Sequence, residues 1–125
     1  MKIAINGFGR IGRSVFRIAC TRDDIDIVAI NDISDAQTLA YLLRYDSVMG
    51  PFPLPVTLDS GTLQTGRQNC QMLAERDPEK LPWKQLGVDV VIESTGRFRT
   101  RSDCELHIKA GAGKVILTVP PKDEI

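Results

Sequence analysis

The chain has 125 residues, 42% of them hydrophobic and 26% charged, enough for one globular domain with a sizeable core. Its 16 basic and 16 acidic residues cancel, so no global field favours nucleic acid or an anionic membrane surface. No apolar run approaches the roughly 20 residues of a membrane span, and the N-terminal run is too short for a signal peptide. Cys20, Cys70 and Cys104 are widely spaced, odd in number and without a CxxC pair, which reads as reduced thiols in a cytoplasmic protein.

Lys2 to Asn6 is a short apolar run that ends in Gly7-Phe8-Gly9-Arg10-Ile11-Gly12, and a helical pattern follows at once. Strand, Gly-x-Gly-x-x-Gly turn and helix form the context in which this pattern signals a dinucleotide site. Gly7 lets the chain turn off the strand, Gly9 keeps a Cβ away from the pyrophosphate, and Gly12 lets the helix pack on the sheet. The helix N-terminus then offers N–H groups and partial positive charge to phosphate. Arg10 sits inside this loop.

The first helix is predicted over about Arg10 to Thr21, with Ile11, Val15, Ile18 and Ala19 as its sheet-facing stripe. Arg13 and Arg17 read as solvated or ion-paired. Ile25 to Ile30 is a buried strand ending in Asn31-Asp32. Asp32 lies at the spacing where a carboxylate accepts from the adenosine ribose and repels a 2′-phosphate, which favours NAD over NADP. Ser34 to Gln37 reads as a capping box for a second helix that runs to about Arg44. This alternation predicts an α/β, doubly wound, mostly parallel sheet with right-handed crossovers.

Met49 to Pro55 is proline-rich and excludes helix or central strand. Strand-like pieces at Val56–Leu58 and Thr62–Gln64 flank an Asp59-Ser60-Gly61 turn, and Gln68 to Glu75 follows as another strand. Gly50 to Gln68 therefore reads as an antiparallel excursion on one edge. Glu79 to Leu86 is a helical turn carrying Trp83 as a packing residue. Gly87 to Glu93 is a buried strand leading into Ser94-Thr95-Gly96, a small polar loop at the end where such sheets bind ligands. Ser102 to Glu105 suggests a second capping box, opening a helix to about Ala110. Lys114 to Val119 is a last strand before Pro120-Pro121.

In order and spacing these segments resemble the N-terminal, NAD-binding part of the glyceraldehyde-3-phosphate dehydrogenase family, from end to end. The matching blocks are Ile5 to Arg13, Ala29-Ile30-Asn31-Asp32, Tyr45-Asp46-Ser47, Glu75-Arg76-Asp77-Pro78, Gly87 to Gly96 and His107 to Lys114. The resemblance implies a Rossmann-type domain over residues 1–125, truncated, with the catalytic domain absent. It implies NAD as cofactor, with Arg10 and Ile11 on the pyrophosphate and Asn31 and Asp32 at the adenosine end. Arg76 would sit beside the adenine, Ser94, Thr95, Gly96 and Phe98 along the crevice, and Thr118 toward the nicotinamide ribose. Gly7, Gly9 and Gly12 keep their loop roles.

The family oxidises and phosphorylates glyceraldehyde 3-phosphate to 1,3-bisphosphoglycerate in glycolysis, through a cysteine thiolate activated by a histidine. Its nucleophile lies in a Ser-Cys-Thr-Thr-Asn segment that this sequence does not contain. Cys20 falls in the first helix, Cys70 in an edge strand and Cys104 in a capping box, while His107 reads as a helix-surface residue. No catalytic residue and no metal ligand is therefore assigned, and the chain alone is expected to bind cofactor without turnover. The resemblance implies a homotetrameric parent acting on a small phosphorylated aldehyde. Truncation at Ile125 is expected to expose an apolar sheet edge or face. Two segments depart from the family pattern: Gly50 to Pro55, richer in proline, and Val119-Pro120-Pro121, where a serine would be usual. Erythrose-4-phosphate dehydrogenases are an alternative, disfavoured by Asp32 in place of Glu and by the Glu-Arg-Asp-Pro block. A non-catalytic nucleotide-binding module is the other.

Overall fold

The computed structural model describes residues 1–46 and 50–122. Ser47 of the Tyr45-Asp46-Ser47 block, Met49 of the proline-rich stretch and the C-terminal 123–125 lie outside the described residues. The elements follow one another as β1 (Lys2–Asn6), α1 (Arg10–Ala19), β2 (Asp26–Asn31), α2 (Ala36–Arg44), β3 (Tyr45–Asp46), β4 (Gly50–Pro51), β5 (Thr57–Asp59), β6 (Thr62–Thr65) and β7 (Gln68–Leu73). A 3₁₀ turn at Pro78–Lys80, α3 (Trp83–Leu86), β8 (Val90–Glu93), α4 (Arg101–Lys109) and β9 (Lys114–Leu117) complete them.

Seven strands form one sheet in the order β5-β6-β7-β2-β1-β8-β9. From β7 to β9 all neighbours are parallel; β5, β6 and β7 make an antiparallel meander, as the turn chemistry predicts. Ser60 and Gly61, at φ 51 and 79, supply the two left-handed residues that a tight hairpin needs. Among the described residues the Gly50–Pro51 segment pairs with β3 alone, in a small separate ladder.

Alternation along the central strands sets the two faces of the sheet. Ile3, Ile5, Val90 and Ile92 meet Phe16 and Ala19 of α1 and Leu39, Ala40 and Leu43 of α2. Ala4, Ala29 and Val91 face the other way and pack with Leu81, Trp83, Val88 and Ala112. Helices on both faces of a parallel sheet make the doubly wound architecture, and β1, with β2 on one side and β8 on the other, is its switch point.

Several local expectations shift. The buried stripe of α1 is Gly12, Phe16 and Ala19, whereas Ile11 and Ile18 are 46% and 59% exposed. The larger ring of Phe16 takes the core position, edge-on to Phe8 at 5.7 Å between centroids. Arg17 is half-buried and donates to the carbonyls of Leu43 and Gly50, while Arg13 donates to Phe8 O. Asp35 caps α2 by accepting from Thr38 N, so the capping box expected at Ser34 to Gln37 does not form. The box at the start of α4 is Thr100 with Asp103, not Ser102 with Glu105. Cys104 is accordingly a buried residue of α4 itself, and Cys70 lies in β7, an interior strand.

Candidate cofactor-binding site

The turn after β1 is built by close approach. Gly7 has φ +93, and a Cβ there would lie 2.7 Å from Thr95 N; one on Gly12 would lie 2.3 Å from Gly7 O. Ser94 Oγ donates to Gly7 O at 2.6 Å, which pins the end of β8 to the loop. Gly9 differs, because a Cβ there meets nothing within 4 Å. Gly9 is also the N-cap of α1, with no side-chain cap bond, and no acidic residue stands in the first turn. Among the described residues no side chain caps the N–H groups that open α1, and they are suited to an external anion.

Asp32 closes the opposite side. Its Oδ2 accepts from Phe8 N at 2.7 Å and its Oδ1 from Ser34 N at 2.9 Å, so one carboxylate ties the glycine loop to the end of β2. Each oxygen retains a lone pair for a ligand hydroxyl. Between these walls lies a cleft of about 260 Å³.

Of the residues singled out in the sequence, Gly7, Gly9, Asn31, Asp32, Arg76, Ser94, Thr95 and Phe98 line this cleft together. Arg10 and Ile11 are exposed in the first turn of α1, and Gly12 is buried behind the loop. Gly96, at φ +76, lies in the exposed turn beyond Thr95. Thr118 stands past the end of β9, where its hydroxyl donates to Glu93 O at 3.2 Å, outside the lining. Asn31 is only 3% exposed, and its amide is engaged by protein. It donates to Asn6 Oδ1 and Glu75 O and accepts from Glu75 N.

The sequence reading missed Asn6, Ile33, Ser34, Glu75 and Arg97 among the lining residues. It also placed His107 on the surface. His107 is fully buried, accepting from Trp83 Nε1 at 3.0 Å on Nδ1 and facing Glu93 Oε1 at 2.7 Å with Nε2. Trp83 is therefore a hydrogen-bond donor as well as a packing residue. Glu93 at the end of an otherwise apolar strand was the available signal, since a buried carboxylate requires donors.

No metal-ligating cluster occurs among the described residues. The thiols are not poised for chemistry in the cleft. Burial pushes Cys20 up to about 11, against a smaller opposing effect of Arg67, and burial pushes Cys70 well above the ordinary thiol range. None of the three cysteines lines the cleft.

A switch-point cleft, an uncapped helix opened by glycines and a carboxylate at the end of the adjacent strand together define a dinucleotide-binding domain of the Rossmann type. The family described as "Glyceraldehyde 3-phosphate dehydrogenase, NAD binding domain" matches residues 1–101. The chain is 52% identical over 124 residues to the glyceraldehyde-3-phosphate dehydrogenase of Geobacillus stearothermophilus, covering 99% of this chain and 37% of that protein. It is 56% identical over 125 residues to that of Thermotoga maritima, covering 98% and 38%. With glyceraldehyde-3-phosphate dehydrogenase 1 of Bacillus subtilis the identity is 48% over 124 residues, covering 99% and 37%. The chain belongs to the glyceraldehyde 3-phosphate dehydrogenase family, as its NAD-binding domain. It spans little more than a third of the length of the curated relatives it matches.

Proposed function

We propose that the chain is the cofactor-holding part of a phosphorylating glyceraldehyde-3-phosphate dehydrogenase, and that NAD lies along the cleft from Asp32 to Thr95. The observation that carries this reading is Gly9, where open space and an uncapped helix terminus coincide. Pyrophosphate is held there by the N–H groups of Arg10 and Ile11 and by the partial charge of the helix. Asp32 accepts from the adenosine ribose and repels a 2′-phosphate, and Arg76 flanks the adenine. Ser94 and Thr95 hold the wall that turns the dinucleotide toward Thr118. When bound, NAD supplies a hydride acceptor; the aldehyde substrate, the thiolate and the tetramer belong to the whole protein.

With Cys20 and Cys70 disfavoured as thiolates and no cysteine in the cleft, this chain alone does not turn over. Cys20, Cys70 and Cys104 as reduced thiols fit a reducing, cytoplasmic setting. Calorimetric titration with NAD, NADP and a short RNA tests the reading. NAD should bind, NADP at least about tenfold more weakly, and RNA not at all. Equal binding of NAD and NADP, or no NAD binding, removes it. NADH formed from glyceraldehyde 3-phosphate and phosphate by this chain would overturn the inactivity.

A further inference from the structure

From Asn6 and Asn31 on the floor of the cleft, a chain of buried polar groups runs to Glu93, His107 and Trp83, which lie outside its lining. Trp83, Glu93 and His107 are fully buried, and Asn6 and Asn31 are 2% and 3% exposed. The indole N–H of Trp83 can only donate, so Nδ1 of His107 accepts it and the ring proton sits on Nε2, facing Glu93. Glu93 Oε1 receives that N–H and Asn6 Nδ2, both at 2.7 Å. Its Oε2 receives Thr95 N at 3.0 Å and Thr95 Oγ1 at 2.7 Å. Four donors thus meet one carboxylate, two on each oxygen.

The connections continue across the floor. Asn6 Oδ1 accepts from Asn31, whose amide brackets the backbone of Glu75 at 2.8 and 2.9 Å. Thr95 is on one wall of the cleft and Glu75, beside Arg76, on the other. Both walls are therefore registered to the same carboxylate. An apolar core would fill this space with less desolvation cost, so stability alone does not account for a buried carboxylate, imidazole and indole joined in series.

We propose that His107 and Glu93 are positioning residues for the cofactor. Glu93 fixes Thr95 directly and Glu75-Arg76 through Asn6 and Asn31, while His107, locked in one tautomer by Trp83, fixes Glu93. Neither residue touches the dinucleotide. They set the width of the crevice that does, and the proposal rests on the NAD reading above.

His107 and Trp83 are the only histidine and tryptophan in the chain, so their signals are unambiguous. The test compares NAD affinity of the full chain with that of H107L and H107Q, with folding checked by circular dichroism and melting. Gln keeps one N–H for Glu93 and one oxygen for the indole; Leu keeps neither. H107L should bind NAD at least about tenfold more weakly and H107Q within about threefold of the parent, the scale on which groups that orient ligand contacts act. Nitrogen NMR of the parent should show the ring proton on Nε2. Should H107L not fold, W83F replaces it: NAD binding should weaken about threefold and the ring should show a mixture of tautomers. Undiminished NAD affinity in H107L or W83F, or a ring protonated on Nδ1, overturns the proposal. A parent chain that binds no NAD removes the cofactor reading itself, whereas a parent that binds it no better than H107L removes only the positioning role.

Discussion

A methyl group on Gly12 would lie 2.3 Å from the carbonyl oxygen of Gly7, so the last glycine of the turn is held against the first. A methyl group on Gly9, between them, would meet nothing within 4 Å. The three glycines therefore have separable duties: two shape the protein and one leaves room for a ligand. Gly12→Ala should destabilise the chain by on the order of 2–3 kcal/mol through overpacking against backbone. Gly9→Ala should leave stability within about 0.5 kcal/mol, because its φ of −77 suits any residue, yet weaken NAD binding. Urea denaturation and NAD titration of both variants check this; equal stability losses would contradict the division of labour.

Asp32 has two duties on one carboxylate. Asp32→Ala leaves Phe8 N and Ser34 N without their acceptor and should cost about 1 kcal/mol. Asp32→Asn keeps an acceptor oxygen but removes the charge, so the preference for NAD over NADP should shrink with little change in stability. Titration of the Asn variant with each nucleotide decides it, and an undiminished preference would show that charge is not the discriminator.

The buried thiols give the chain an alkaline limit. Burial raises Cys20 from a free thiol's 9.0 to about 11 and moves Cys70 in the same direction. The folded state then holds these protons more tightly than the unfolded state. Their contribution to stability is complete below pH 9 and is lost as pH rises toward 11. The denaturation midpoint should fall across that window, and less steeply in Cys20→Ala. Alkylation of Cys20 by iodoacetamide should be slow at neutral pH, where on the order of one thiol in ten thousand is ionised.

Thr100, rather than Ser102, holds the start of α4. Thr100 Oγ1 accepts from Asp103 N at 3.1 Å while Asp103 Oδ2 accepts from Thr100 N at 3.2 Å. Thr100→Ala should cost about 1 kcal/mol and Ser102→Ala no more than about 0.5 kcal/mol. Thermal melts of the two variants separate them; the reverse ranking would assign the cap to Ser102.

The glycine turn and the strand-helix alternation were legible because local rules specify them: glycine where backbone approaches backbone, apolar runs where a parallel strand is buried on both faces. The α1 stripe was displaced because Ile11 and Ile18 fit the helical period as well as Phe16 does. The tertiary positions of Phe8 and Phe52, against which Phe16 packs, separate the two faces. His107 escaped because its partners are distant in sequence: Glu93 lies 14 residues away and Trp83 lies 24 residues away. A polar residue on a charged helix reads as solvent-facing until the donors and acceptors around it are known. Asn31 shows the same limit. Its position beside Asp32 was legible, but the engagement of its amide by Asn6 and Glu75 depends on how strands meet.

The strand order also sets a sequence of events in time. The β5-β6-β7 meander closes through short hairpin connections, whereas β1 meets β8 across 87 residues, as the pairing of Asn6 with Glu93 shows. Loop-closure entropy makes the first pairing early and the second late. The crevice needs both neighbours of β1, so it is expected to be completed after the meander and to contribute little to the folding transition state. NAD should accordingly slow unfolding and leave the refolding rate unchanged in stopped-flow experiments, acting as a late clasp on a chain already assembled.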